Sequence, residues 1–305
     1  MTAVGESPVS VVARPTVGVE TGGIRWWARL RSGPRWHNVI AHGILIAAIC
    51  VIAFPLYYAF VISTQTLDDA IRMPPRLLPS TALVENYTQA WNRAAMGRLL
   101  LNSAVMALGV AGGKIVISLL SAFAIVYFNF RGKQLVFWMI FVTLMLPVPV
   151  RIVSTFEVIS RLGWVNTYWG LTVPLMASAT GTFLFRQFYQ TIPDSLAEAA
   201  QLDGAGPLRF LWSILVPLSK ANIAALFVIL FVYGWNEYLW PLMITTTTDM
   251  RTAVVGVEAL VPRGGSQLAE WNVIMAAAMM VLLPPVTVIV LMQRWFVKGL
   301  IETEK

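Results

Sequence analysis

Long apolar stretches separated by short polar ones dominate this chain. A helix of about 20 apolar residues crosses the roughly 30 Å hydrocarbon core of a bilayer. Stretches of that kind occur near residues 39–62, 101–127, 135–150, 168–185, 223–244 and 273–292. They predict an all-α integral membrane protein of about six transmembrane helices. The third stretch is short and ends in "LPVPV", so its helix can run on past Arg151. Residues 63–100 and 245–271 form long loops on one side, and residues 186–221 form a long loop on the other. Arg25, Arg29, Arg31 and Arg35 cluster ahead of the first span, which by the positive-inside rule places both termini in the cytoplasm. Residues 1–36 lack the apolar centre of a cleavable signal peptide and read as a disordered cytoplasmic tail. Residues 37–294 read as one membrane domain, and 295–305 as a cytoplasmic C-terminal tail.

Composition agrees with the pattern. Hydrophobic residues make up 57% of the 305 and charged residues only 12%, and mean hydropathy is +0.70; soluble domains carry about 25% charge. The net charge of +7 follows from the positive-inside bias, so no nucleic-acid partner is implied. Cys50, the single cysteine, lies in the first apolar run and excludes an intrachain disulfide. His37 and His42 are five apart, off the i, i+4 face of a helix, and no further Cys or His completes a metal site. "LGVAGGKI" falls short of a phosphate loop, with Leu108 where glycine is needed and Ile115 where Ser or Thr is needed. No nucleophile motif accompanies either histidine. The chain is therefore expected to catalyse no covalent reaction and to hold no cofactor of its own.

The loop at 186–221 is the most informative. Ser195 and Glu198 fit an [ST]-x-x-E capping box, which predicts a helix starting at about Leu196. Gly204 supplies a left-handed C-terminal cap, Pro207 opens a second helix and Pro217 limits it. Small Ala199 and Ala200 sit between charged Glu198 and Asp203. Such a helix can dock closely on another protein, or lie as an amphipathic helix on the inner leaflet.

This loop, "EAAQLDGAGPLRFLWSILVP", resembles the EAA loop of ATP-binding-cassette (ABC) importer permeases, with its E-A-A, the glycine that follows and the trailing apolar-Pro pattern. The resemblance extends over nearly all of the spans and points to the MalG-like branch of carbohydrate-type importers. Within that branch, "TLMLPVPVRI", "LTVPLMASATGTFLFRQF", "YGWNEYLWPLMI" and "MQRWFVKGLIETEK" are most similar to second permease subunits of sn-glycerol-3-phosphate importers. The resemblance implies a type I importer permease fold. It makes Glu198, Ala199, Ala200, Asp203 and Gly204 a coupling helix seated in a groove of the ATPase. The implied partners are a second, homologous permease, two ATPase copies that bind ATP and Mg, and an extracytoplasmic solute-binding protein that the 245–271 loop contacts. The implied cargo is glycerol-3-phosphate or a glycerophosphodiester such as glycerophosphocholine, with a maltose or trehalose type of sugar importer as the alternative.

Polar residues inside the spans mark the candidate pathway. Lys114 lies within the second stretch, where a lysine costs about 2.5–3.5 kcal/mol on insertion scales, so it faces either a structural partner or the pathway. In "YGWNEYLWPL", Gly234 and Pro241 bracket Trp235, Asn236, Glu237 and Tyr238, as in a discontinuous transporter helix; an aromatic belt at the interface explains the rings equally well. For a phosphorylated cargo the available cations are Lys114 and Arg151, although Arg151 also fits an interfacial anchor. Glu237 repels a bare phosphomonoester, which admits a zwitterionic glycerophosphodiester as cargo too. An ion-coupled secondary transporter is the rival class; it needs a duplicated half that this sequence lacks.

Overall fold

The computed structural model describes residues 35–143, 148–262 and 268–302. The expected tail at 1–36 lies outside the described residues up to position 34, and the tip of the 245–271 loop, 263–267, lies outside them too. Among the described residues there is no strand. The chain divides into two compact units, 1–55 and 56–305.

The described part of the first unit is the leading section of helix α1 (Arg35–Ser63), an apolar helix containing Pro55. Its side chains from Asn38 to Leu56 are exposed in this chain, as suits a helix bathed in lipid or covered by another subunit.

In the second unit, short helices α2 (Leu67–Ile71) and α3 (Leu83–Arg93) follow the end of α1. Helix α4 (Met96–Tyr127) comes next and is the axis of the unit. Then come α5 (Lys133–Val142), α6 (Val148–Arg161), α7 (Tyr168–Thr172), a 3-10 turn at Val173–Leu175 and α8 (Ala179–Tyr189). The loop that follows holds α9 (Asp194–Leu202), α10 (Pro207–Phe210), a π turn at Leu211–Leu215 and α11 (Val216–Leu218). The chain finishes with α12 (Lys220–Asn236), α13 (Leu239–Ile244), α14 (Ala253–Glu258) and α15 (Trp271–Glu302).

Helix α4 packs on α12 and α8, and α15 packs on α12 and α3. Small residues set these crossings, because lipid offers no hydrophobic penalty and close backbone approach is what drives association. A Cβ on Gly234 would stand 3.1 Å from the Cα of Ala107, and one on Gly181 would stand 2.5 Å from Ser118 Oγ.

Buried amides tie the end opposite to the α9 loop. Asn86 donates from Nδ2 to the carbonyls of Ser63 (2.9 Å) and Gln65 (2.7 Å), and accepts from Asn272 Nδ2 (2.8 Å). Asn102 donates to the carbonyls of Asp249 (2.8 Å) and Arg251 (2.9 Å) and accepts from the Tyr168 hydroxyl (2.8 Å). The segment leading into α14 is thereby pinned to α4.

The expected spans meet the structure unevenly. Three helices, at Asn38–Ser63, Met96–Tyr127 and Trp271–Trp295, are long and apolar enough to cross a membrane, and a pair bent by 75° at Ser219 makes a fourth if counted as one span. Part of the third expected span, 144–147, lies outside the described residues; α5 covers it as far as Val142, and α6 runs from Val148 past Arg151 to Arg161. The fourth is broken at Pro174, which has no N–H to continue α7, and restarts at Ser178, whose side chain accepts from Gly181 N. The fifth is cut between Asn236 and Leu239.

Candidate functional site

Two features carry chemistry: a hook at one end of the bundle and a charged cavity within it. The hook is α9 with α10. Helix α9 begins at Asp194, with Pro193 as its N-cap and no side-chain cap bond, so the expected capping box does not form: Ser195 lies inside the first turn. Proline pre-sets the entry and Asp194 supplies a negative charge at the positive end of the helix. The C-terminal end behaves as expected. Gly204 has φ +72°, its N–H bonds Gln201 O at 3.0 Å, and Ala205 N–H bonds Ala200 O at 2.9 Å. This pair is a Schellman motif, and it turns the chain sharply so that Pro207 starts α10.

The hook has one face toward the bundle and another toward the outside. Ala200 is 5% exposed and belongs to the same buried cluster as Phe210, Leu211, Leu215, Tyr189 and Phe123. The rings of Tyr127 and Phe210 meet edge to face at 5.2 Å, joining the end of α4 to α10. Glu198, Ala199, Asp203 and Gly204 are exposed. Next to them in the chain Leu202 is 90% exposed, and Leu208 at the start of α10 is 65% exposed. Sequence reasoning passed over Leu202; an apolar residue within an otherwise polar "AQLDG" turn was the available signal.

The cavity lies deeper. Lys114 on α4, Arg151 on α6, and Tyr233 and Glu237 at the end of α12 line a space of about 130 Å³, together with Trp240 on α13. A second space of about 630 Å³ shares Lys114, Arg151 and Tyr233, and continues past Ser121, Thr182 and Leu226 toward the hook end of the helices. The buried Lys114 ammonium rests 3.9 Å from the centroid of the Tyr233 ring, a cation–π contact strengthened by desolvation. Glu237 attracts Lys114 and Arg151 repels it. None of the three ion pairs formed among the described residues uses Lys114, Arg151 or Glu237.

Glu237 stands at the break in the fifth apolar stretch. Helix α12 stops at Asn236, Glu237 adopts φ −62° and ψ 127°, and α13 restarts at Leu239. The bracketed polar residues separate there. Trp235 is 2% exposed and donates from Nε1 to Val281 O (3.1 Å), so it locks α12 onto α15. Asn236 is exposed and Tyr238 half-buried, and neither lines the two cavities. The structure thus brings Lys114, Arg151 and Glu237 together and leaves Trp235, Asn236 and Tyr238 apart from them. Tyr233 and Trp240 complete the wall; Tyr233 was signalled only by lying one helical turn before Glu237.

Comparison with known proteins identifies the family. Residues 114–302 match the family described as "Binding-protein-dependent transport system inner membrane component". The chain is similar to the sn-glycerol-3-phosphate transport system permease protein UgpE of Brucella melitensis, at 55% identity over 275 residues, covering 88% of this chain and 97% of that one. It is similar to the same-named protein of Agrobacterium fabrum at 56% identity, with 88% and 97% covered. The corresponding protein of Escherichia coli O1:K1 is 52% identical, with 88% and 98% covered. Among solved structures, a chain of a bacterial ABC transporter involved in the import of the acidic polysaccharide alginate superposes with a TM-score of 0.77 at 19% identity, covering 86% of this chain and 97% of that one. That likeness is one of fold.

Proposed function

The chain belongs to the inner membrane components of binding-protein-dependent transport systems, that is, to the ABC importer permeases, and from that premise we propose that it carries a phosphorylated glycerol across the inner membrane. The cargo is sn-glycerol-3-phosphate or a glycerophosphodiester such as glycerophosphocholine. Relatives at 52–56% identity over nearly their whole length, all named for sn-glycerol-3-phosphate transport, support this reading.

The chain has no ATPase of its own; energy enters from two partner ATPase subunits that bind ATP and Mg. The observation that carries this part is the hook: Glu198, Ala199 and Asp203 face outward beside a 90% exposed Leu202, while Ala200 is seated in the bundle core. Docked in a groove of the ATPase, α9 moves when the ATPases close on ATP. The contact of Phe210 with Tyr127 passes that movement to α4. The bundle then alternates between facing inward and facing outward as packed bodies, not by stretching. A second, homologous permease covers the surface on which Lys114, Arg151 and Glu237 open, and a solute-binding protein delivers cargo at the end opposite the hook. In this orientation the hook and both termini are cytoplasmic.

The test is site-directed crosslinking in a Cys50→Ala background, since Cys50 is the single native cysteine. A cysteine at position 202 is expected to crosslink to the co-expressed ATPase, and one at position 268, at the opposite end, is expected not to. Crosslinking of position 268 but not 202 to the ATPase, or labelling of position 202 by a membrane-impermeant reagent from outside, reverses the orientation and removes the coupling role.

A further inference from the structure

Lys114 and Arg151 share the lining of both the 130 Å³ and the 630 Å³ cavities, so they stand where the two spaces meet. One cation is on α4 and the other on α6, and the fold brings both to the lining of the same two spaces. Neither forms an ion pair among the described residues. The Lys114 ammonium is held against the Tyr233 ring, a neutral partner that leaves its N–H donors free for an acceptor arriving in the cavity. Arg151 offers a planar fork suited to two phosphate oxygens, and Lys114 adds a compact point charge. Glu237 lines the 130 Å³ space too, at the break between α12 and α13.

We propose that Lys114 and Arg151 together bind the phosphate group of the cargo midway through the bundle, and that Glu237 is the counter-charge that releases it. Two cations alone would form a trap for an organic phosphate. One carboxylate lining the same space lowers the net charge of the site from two to one, and a transport site must bind weakly enough to let go. The backbone break at Glu237 also places this carboxylate where a movement of α12 relative to α13 changes its distance from both cations. The proposal rests on the reading of the cargo as a phosphorylated glycerol.

The experiment uses the whole importer, with partner permease, ATPases and binding protein, reconstituted in liposomes and supplied with radiolabelled sn-glycerol-3-phosphate. Lys114→Met and Arg151→Gln are expected to lower ATP-driven uptake at least about tenfold, while stimulation of ATP hydrolysis by loaded binding protein stays within about twofold. Arg151→Lys is expected to recover most of the uptake lost in Arg151→Gln. Glu237→Gln is expected to slow uptake and to raise the amount of label retained per complex after vanadate arrest. Uptake within twofold of wild type in both cation variants overturns the site. So does a parallel fall of uptake and stimulated hydrolysis, which would assign the cations to the integrity of the bundle. Should Lys114→Met fail to assemble, the exposed Arg151 and its lysine rescue decide alone. A wild-type importer that takes up no sn-glycerol-3-phosphate removes the cargo reading itself, an outcome distinct from failure of the site.

Discussion

At the scale of single residues, two glycines of the hook separate backbone demand from mere smallness. Gly204 has φ +72° and Gly206 has φ −67°, and a Cβ added to either meets nothing within 4 Å. Steric contact is thus absent from both substitutions, and only the left-handed conformation distinguishes them. Gly204→Ala is expected to cost about 1 kcal/mol, and Gly206→Ala to be neutral or slightly stabilising. The readout is hydrogen exchange at the Ala205 amide, which bonds Ala200 O at 2.9 Å. Exchange should quicken roughly fivefold in Gly204→Ala and stay unchanged in Gly206→Ala. Equal effects would mean that the turn does not depend on the left-handed residue. The turn was readable in the sequence because Gly204 and Pro207 act locally. The start of α9 was misread for an equally local reason: Pro193 occupies the N-cap, so the helix begins before Ser195 can cap it.

At the scale of elements, helix crossings and loop anchors carry the argument, and here sequence reading loses resolution. Period and apolarity located α4 and α15, but they could not show that Pro174 divides the fourth stretch or that Asn236 ends α12. The first break is local, since Pro174 has no N–H to donate, and the second falls between Gly234 and Pro241, where an apolarity count sees no interruption. Tyr233 escapes a linear pattern for another reason: its role beside Lys114 exists only once α4 and α12 cross. That crossing is testable. Gly234→Ala places a methyl group against the Ala107 backbone, 3.1 Å away, whereas Gly112→Ala meets nothing within 4 Å. Overpacking of a tight core costs about 1–3 kcal/mol, so Gly234→Ala should lower the melting temperature of the purified importer and Gly112→Ala should not. Asn102 is the corresponding anchor for the opposite end. Asn102→Leu leaves the Asp249 and Arg251 carbonyls and the Tyr168 hydroxyl without their partner, a loss of about 1–3 kcal/mol. Limited proteolysis should then cut between positions 245 and 258 in the variant while the wild type resists.

At the scale of the whole molecule, the hook is a lever whose two ends can be damaged separately. Ala199 and Ala200 are neighbours on α9 with opposite surroundings: Ala199 is exposed, and Ala200 is 5% exposed inside the cluster that holds Phe210, Leu211 and Tyr189. On the proposed docking, Ala199 belongs to the contact with the ATPase and Ala200 to the contact with the bundle. Ala199→Trp therefore adds bulk to the outer face alone. The permease should reach the membrane with normal stability, but the ATPase should no longer co-purify, and uptake should fall at least about tenfold. Ala200→Leu instead forces volume into a packed joint, at about 1–3 kcal/mol. The hook should shift on the bundle while its outer face stays intact, so the ATPase co-purifies and hydrolyses ATP, yet hydrolysis no longer drives uptake. A lever predicts these two different failures from adjacent substitutions of the same residue type. A hook that served only as passive packing would give one phenotype, loss of stability in Ala200→Leu with Ala199→Trp silent. Measuring co-purification, hydrolysis and uptake side by side distinguishes the two, because a hook that only packs gives a change at position 200 no way to leave the complex assembled and hydrolysing yet unable to transport.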